Sequence, residues 1–128
     1  VKPPRASDYV FLTTDFYGNS LILNTKTWVD HILDEHPIMQ GCEKLVELVV
    51  QKPYIIRTSS VSENGLVFIS EEDAGPQRKA IRVVAKYADL MPEPEKGSSS
   101  GLISTAYPVD LVKYPNPRLG RIIYQRGG

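Results

Sequence analysis

The stretch Thr27-Trp28-Val29-Asp30-His31-Ile32-Leu33-Asp34-Glu35-His36-Pro37 constrains the fold more than any other part of this 128-residue chain. It holds both histidines and the single tryptophan, and its ends are marked. Thr27, with Asp30 three residues on, makes a capping-box pattern for a helix start. Pro37 disfavours helical geometry at the residue before it, so the helix should stop near His36. Val29, Ile32, Leu33 and His36 recur at i, i+3, i+4 and i+7, the spacing of a buried stripe. His31 falls off that stripe, with Trp28 three residues before it and Glu35 four after. At about 100° per residue the two imidazoles point roughly 140° apart and do not form a pair. His36 reads as a histidine half-packed at a helix end, and His31 as the candidate for chemistry.

Ahead of that helix, Tyr9 to Thr14 and Ser20 to Leu23 are β-prone runs around a turn containing Gly18-Asn19, so a hairpin is expected within 9–26. Behind it, Cys42 to Gln51 predicts a second helix with Leu45, Val46, Leu48 and Val49 on its apolar side, stopped by Pro53. The rest reads as strands. These are Tyr54 to Ser59, Leu66 to Ser70 after a Glu63-Asn64-Gly65 turn, Lys79 to Tyr87, and Leu102 to Tyr107. An edge strand at Arg121 to Gln125 follows a return through Pro115 and Pro117. In Lys79 to Tyr87, the residues Ile81, Val83 and Ala85 alternate with Arg82, Val84 and Lys86, so one face carries two cations. Met91 to Gly101, rich in Pro and Glu and then in Gly and Ser, reads as a long flexible connection. Helices followed by hairpin-linked strands predict an α+β domain, with N-terminal helices packed on a mainly antiparallel sheet of four to five strands. The length suits a single domain over 1–128. Residues 1–8 and the closing Arg126-Gly127-Gly128 read as linker ends, as in a domain cut from a longer protein.

Fifteen basic and fifteen acidic side chains cancel, so the overall charge does not announce a nucleic-acid partner. Their distribution is uneven. Residues 1–74 carry six basic and eleven acidic side chains, net −5, and residues 75–128 carry nine and four, net +5. The second half is therefore open to an anion. Cys42 is the only cysteine, so neither an internal disulfide nor a thiolate cluster can form, which suits a reducing compartment. No apolar run approaches the ~18 residues of a membrane helix, and a signal-peptide core is absent from the N-terminus. The His31/His36 spacing does not suit a zinc pair at i, i+4, and Glu71-Glu72-Asp73 lacks the alternation of a calcium loop. Phosphate-cradling, dinucleotide-binding and serine-hydrolase motifs are also missing. The expectation is a chain with no metal and no cofactor.

What remains is one flank histidine with cations and hydroxyls spread over several strands. Arg57 interrupts the apolar run Tyr54-Ile55-Ile56, and Lys86 sits inside a β-branched strand. On the next strand Thr105 and Tyr107 share a face by the period of two, with Ser104 and Ala106 on the other. Singly, such residues are ordinary solvent-facing strand positions. Together they supply what metal-free phosphodiester transfer in RNA needs. A base removes the 2′-hydroxyl proton, an acid protonates the 5′-oxygen, and cations or hydroxyl donors stabilise the phosphorane.

One succession of motifs runs W-x-x-H-I-x-x-x-H-P (Trp28 to Pro37), an apolar helix ending in K-P-Y-I-I-R-x-S, Leu66-Val67-Phe68, Val83-Val84-Ala85-Lys86, and G-L-I-S-T-A-Y-P. In order and spacing it resembles the phage-type branch of the barnase–EndoU–colicin–RelE nuclease superfamily. The resemblance covers residues 27–108 and leaves out the N-terminal hairpin and the extension at 109–128. It implies a barnase- or RelE-like core that cleaves RNA on one sheet face without metal, leaving 2′,3′-cyclic phosphate ends. On this sequence it implies His31 as general acid or base, Arg57 and Lys86 as phosphate clamps, and Thr105 and Tyr107 as donors. His36, Arg82 and Ser104 are the expected substrate contacts. Also implied are an RNA substrate, tRNA included, an immunity or antitoxin protein as partner, and a monomer without membrane contact. Such a domain acts in the cytoplasm, delivered as the C-terminal part of a secreted or phage protein. The rival readings are a non-catalytic RNA- or protein-binding domain on the same scaffold, and an interaction module of a larger phage or secreted protein.

Overall fold

The computed structural model describes residues 8–59, 64–88, 94–110 and 119–127. Among them, seven strands make one sheet: β1 (Tyr9–Thr14), β2 (Ser20–Asn24), β3 (Ile55–Ser59), β4 (Gly65–Ile69), β5 (Ala80–Tyr87), β6 (Ser100–Val109) and β7 (Leu119–Gln125). Their lateral order is β1-β2-β6-β5-β4-β3-β7. The α+β class holds, and the expected strands β3 to β6 form an unbroken antiparallel meander at the centre. The expectation of four to five strands is corrected to seven by the first hairpin, while the expected edge strand at Arg121 to Gln125 forms as β7. The β1–β2 hairpin joins the sheet through parallel pairing of Ser20, Leu21 and Ile22 with Ser100, Gly101 and Leu102, and β7 pairs with β3. Each addition pairs backbone groups that an edge of the meander would otherwise leave open. The two helices are not N-terminal. They lie between β2 and β3 as α1, over 25–35, and α2 (Glu43–Gln51).

Side-chain alternation then decides what the helices cover. Ile56, Phe68, Val83 and Ala106 line up across the four central strands, and all are buried. Ile81, Ala85, Tyr87 and Ile103 extend this inner face. Val46, Val49 and Val50 of α2 close over it, with Trp28 and Ile32 of α1. For α2 the expected stripe is shifted, because Val50 turns inward and Leu48 faces solvent. The stripe 46, 49, 50 keeps the i, i+3, i+4 spacing. At the end of α2, the Gln51 side-chain amide donates to the Thr13 hydroxyl at 2.7 Å and ties the helix to β1.

In α1 the middle turn, Trp28–Ile32, is a π-turn in which the Leu33 N–H reaches back five residues to the Trp28 carbonyl. The buried face becomes Trp28 and Ile32, while Val29 is left 50% exposed. An indole buries far more apolar area than an isopropyl group, so the helix turns to hide Trp28 at the expense of Val29. The helix also starts three residues earlier than expected, with Asn24 in place of Thr27 at the N-cap position, and the Thr27 side chain makes no capping bond. Its end is where Pro37 requires it. Glu35 is the last helical residue, and His36 departs to φ −134°, ψ 73° before a short 3-10 turn, Pro37–Met39.

The segment expected to be a flexible connection is anchored over its described part. Pro94–Lys96 forms a 3-10 turn, and Ser100 and Gly101 already belong to β6. The anchor is the Asp15 carboxylate, almost fully buried in the β1–β2 turn. It accepts from the Tyr17 and Asn19 backbone N–H groups at 2.8 and 2.9 Å, from the Asn19 side chain at 2.9 Å and from the Tyr87 hydroxyl at 2.6 Å. Asn19 passes the tie onward, donating to the Pro94 carbonyl and accepting from the Ser99 N–H. Gly97 completes the contact with φ +68°, and a Cβ there would stand 2.2 Å from the Tyr17 carbonyl oxygen. Four other expectations lie outside the described residues: the linker over 1–7, Glu63 of the turn before β4, Met91 to Glu93, and the return through Pro115 and Pro117.

Two outcomes follow from this buried network. Asp15→Ala leaves four donors without their acceptor, and is expected to lower unfolding free energy by about 2–4 kcal/mol in urea titrations. Burial, with the charge and hydrogen bond of Asp15 behind it, holds the Tyr87 hydroxyl protonated well above its ordinary value of 10.0. The unfolded chain binds that proton less tightly, so the contribution is complete below pH 10 and is lost as pH rises beyond it. The urea midpoint should therefore fall more steeply above pH 10 in the wild type than in Tyr87→Phe.

Candidate functional site

The outer face of the sheet, away from the helices, is organised by the same pairing. Arg57, Val67, Val84 and Thr105 form one cross-strand row. Ile55, Ile69, Arg82 and Tyr107 form the row beside it. Gly65, Lys86, Leu102, Ile22 and Leu12 form the row on the other side. Three strand cations and two hydroxyl-bearing residues singled out in the sequence thus share one face. At 3.3–3.4 Å per residue, Arg82 and Lys86 stand about 13 Å apart along β5.

Arg82 is the least ordinary of them. It is only 4% exposed, and among the described residues its Nε has no hydrogen-bond partner. Around it on this face lies the apolar cluster Val67, Ile69, Ala80 and Val109, with Tyr107 packed against it. Arg57 is half-buried, and its Nε donates to the Gly120 carbonyl at 2.9 Å, which orients the guanidinium along β7. Lys86 is exposed and Thr105 half-buried. Ser104 departs from the expected alternation. A bulge between the pairings of Val84 and Ala85 turns both Ile103 and Ala106 inward, and the Ser104 hydroxyl donates to the Val84 carbonyl at 3.1 Å. Ser104 therefore does not share the face of Ala106, and its hydroxyl is engaged by the backbone of β5.

The histidines are separated as their spacing suggested. His31 sits in the π-turn with Nδ1 3.6 Å from a Glu35 carboxylate oxygen, and its side chain is 45% exposed. Among the described residues it makes no ring contact or hydrogen bond with the sheet. His36 stacks on Tyr107, with ring centroids 5.6 Å apart and planes 27° from parallel. The structure brings His36, Tyr107, Arg82, Arg57, Thr105 and Lys86 to one face, and leaves His31 on the helix. The sequence did hold a signal for His36. A residue that leaves helical geometry before a proline also leaves the helix face, freeing its side chain to meet a neighbouring element.

Among the described residues, no three His, Cys, Asp or Glu side chains converge to hold a metal ion, and no helix is long and apolar enough to cross a membrane. Comparison of the chain with protein families, with curated proteins and with solved structures finds no match.

A buried guanidinium whose Nε is unpaired burdens the fold. Arg82→Met, similar in length and without polar atoms to satisfy, is expected to leave stability unchanged or raise it by about 1–2 kcal/mol. Thermal and urea unfolding check this, and a clear loss would mean that Arg82 holds the outer face together.

Proposed function

We propose that the protein is a metal-independent endoribonuclease that cleaves RNA by transesterification on the outer face of its sheet. The observation that carries this reading is the register that gathers Arg57, Arg82, Lys86, Thr105 and Tyr107 on one face, with the His36 ring stacked on Tyr107. It agrees with the resemblance of residues 27–108 to phage-type nucleases. His36, as neutral imidazole, takes the proton of the 2′-hydroxyl while that oxygen attacks the adjacent phosphorus. Arg82, Arg57 and the Thr105 hydroxyl stabilise the negative charge of the phosphorane. The bond to the 5′-oxygen breaks as Tyr107 or the newly formed imidazolium supplies a proton. The products are a 2′,3′-cyclic phosphate and a free 5′-hydroxyl. Lys86 binds a neighbouring phosphate. His36 takes the role that the resemblance assigns to His31, because it reaches the cationic face. A toxin with this chemistry needs an inhibitor, and an acidic protein partner would be steered to the cationic half of the chain.

Cleavage of total RNA, tRNA included, should persist in EDTA and leave cyclic phosphate ends, and a 2′-deoxy nucleotide at the scissile position should block it. Binding without cleavage would identify a non-catalytic RNA-binding domain. His36→Ala is expected to lower the single-turnover rate by about 10²-fold or more, and Thr105→Val by about 10²–10³-fold. His31→Ala should stay near wild type. The opposite ranking of the two histidines would move the site onto α1.

A further inference from the structure

A groove of about 670 Å³ opens on the outer face where β1, β2, β6 and β5 meet. Its floor is a single cross-strand row, with Leu12 opposite Ile22, Ile22 opposite Leu102, and Leu102 opposite Lys86. Leu12 and Leu102 are 52% and 48% exposed. Aligned in this way they form a continuous apolar strip, and contiguity is what separates a binding surface from scattered surface leucines. Lys86 closes one end, and no carboxylate is among the described residues that line the groove. Lys86 is also the end of the series Arg82, Val84, Lys86 on β5, so the apolar strip continues the cationic face without a break.

We propose that this groove is a base subsite, which takes the nucleobase of a nucleotide adjoining the scissile phosphate where the RNA is single-stranded. The inference rests on the ribonuclease reading above. A nucleobase is a flat body with apolar faces tethered to an anion, and the groove pairs an aliphatic floor with one cation at its end. A protein segment carrying an acidic group would also suit a lysine. The continuity with Arg82 and Arg57, however, favours a ligand that repeats its negative charge at intervals. Four hydroxyl-bearing residues line the groove, but the Thr13 oxygen accepts a bond from Gln51 of α2 and the Tyr87 hydroxyl donates to Asp15, which leaves Ser20 and Ser100. Little is left to read a base edge, so the subsite tolerates different bases. A base stacked inside a duplex does not present its face to such a groove, which makes the subsite selective for unpaired RNA.

The test uses the whole chain and three RNA substrates of one sequence: single-stranded, duplexed, and single-stranded with abasic nucleotides on both sides of the cleavage site. Wild type should cleave the single strand best, with KM raised about tenfold on the abasic substrate, the scale of a lost apolar pocket contact. Leu12→Ser and Leu102→Ser alter exposed positions and should raise KM on the intact strand by a similar factor, with kcat little changed. On the abasic substrate they should match wild type. Equal KM for wild type on intact and abasic RNA overturns the subsite without needing any variant. Serine variants with wild-type KM overturn it too, and leave the ribonuclease reading standing. If the variants instead turn a dimer into a monomer in sedimentation, with KM unchanged, the groove is a contact between copies and the proposal fails. Absence of any RNA cleavage by wild type removes the ribonuclease reading and the subsite together.

Discussion

The register of β5 between β4 and β6 is the constraint on which the rest of the structure depends. Side chains alternate along a strand, so a slip of one residue would turn Arg82, Val84 and Lys86 under the helices and Ile81, Val83 and Ala85 outward. Arg82 is buried in either register, but the slip would also bury the exposed Lys86 in an apolar core and turn three core side chains to solvent. That cost is comparable to the whole stability of a domain. Hydrogen bonds at both ends of β5 oppose the slip. At one end the Ile81 N–H donates to the Ser70 hydroxyl at 2.8 Å. At the other, Tyr87 donates to Asp15, and its carbonyl accepts from the Asn64 side chain at 2.6 Å. A strand held in this way gives its neighbours a fixed template, and both faces of the sheet follow from it.

The two faces are put to different uses. The inner face is closed by α1 and α2 and is almost wholly apolar, which makes it the source of stability. The outer face keeps a buried arginine with an unpaired Nε, an oriented Arg57, an exposed Lys86 and an aliphatic strip beside them. None of these improves packing. Features that cost stability and persist are where function is to be sought. The stacking of His36 on Tyr107 belongs to the same account, because it brings an imidazole to a face otherwise made by strands.

Asp15 shows how a short loop governs distant parts of the chain. Its carboxylate shapes the β1–β2 turn and receives Tyr87 from β5, while Asn19 carries the link to Pro94 and Ser99. That link holds the start of β6 beside β2, where the only parallel pairing among the described strands forms. At Gly101, a Cβ would stand 2.5 Å from the Lys86 carbonyl and 2.8 Å from the Tyr87 ring, so the close approach there depends on glycine. The outer-face groove exists because this pairing sets Leu12 and Ile22 in line with Leu102.

Much of this was legible in local chemistry. Pro37 determined where α1 ends, alternation determined which side of β5 would be apolar, and Gly18-Asn19 marked the first hairpin. The placement of Arg57, Lys86, Thr105 and Tyr107 on one face also follows from a period of two, once the strands pair in the observed register. Ser104 escaped that rule because a bulge is a property of two strands together. Val29 and Leu48 escaped because a helix turns toward whichever face buries the most area, and that area is set by the sheet beneath it. The burial of Arg82, the contact of His36 with Tyr107, and the attachment of the first hairpin to β6 join residues 13 to 80 positions apart in the chain, or depend on such joins. By itself the sequence determined the ends, periods and charges of each segment, because turns, prolines and alternation act within a few residues. The tertiary structure alone decided which segments meet, because pairing between remote strands is selected by the total packing of the core and not by any signal in either strand.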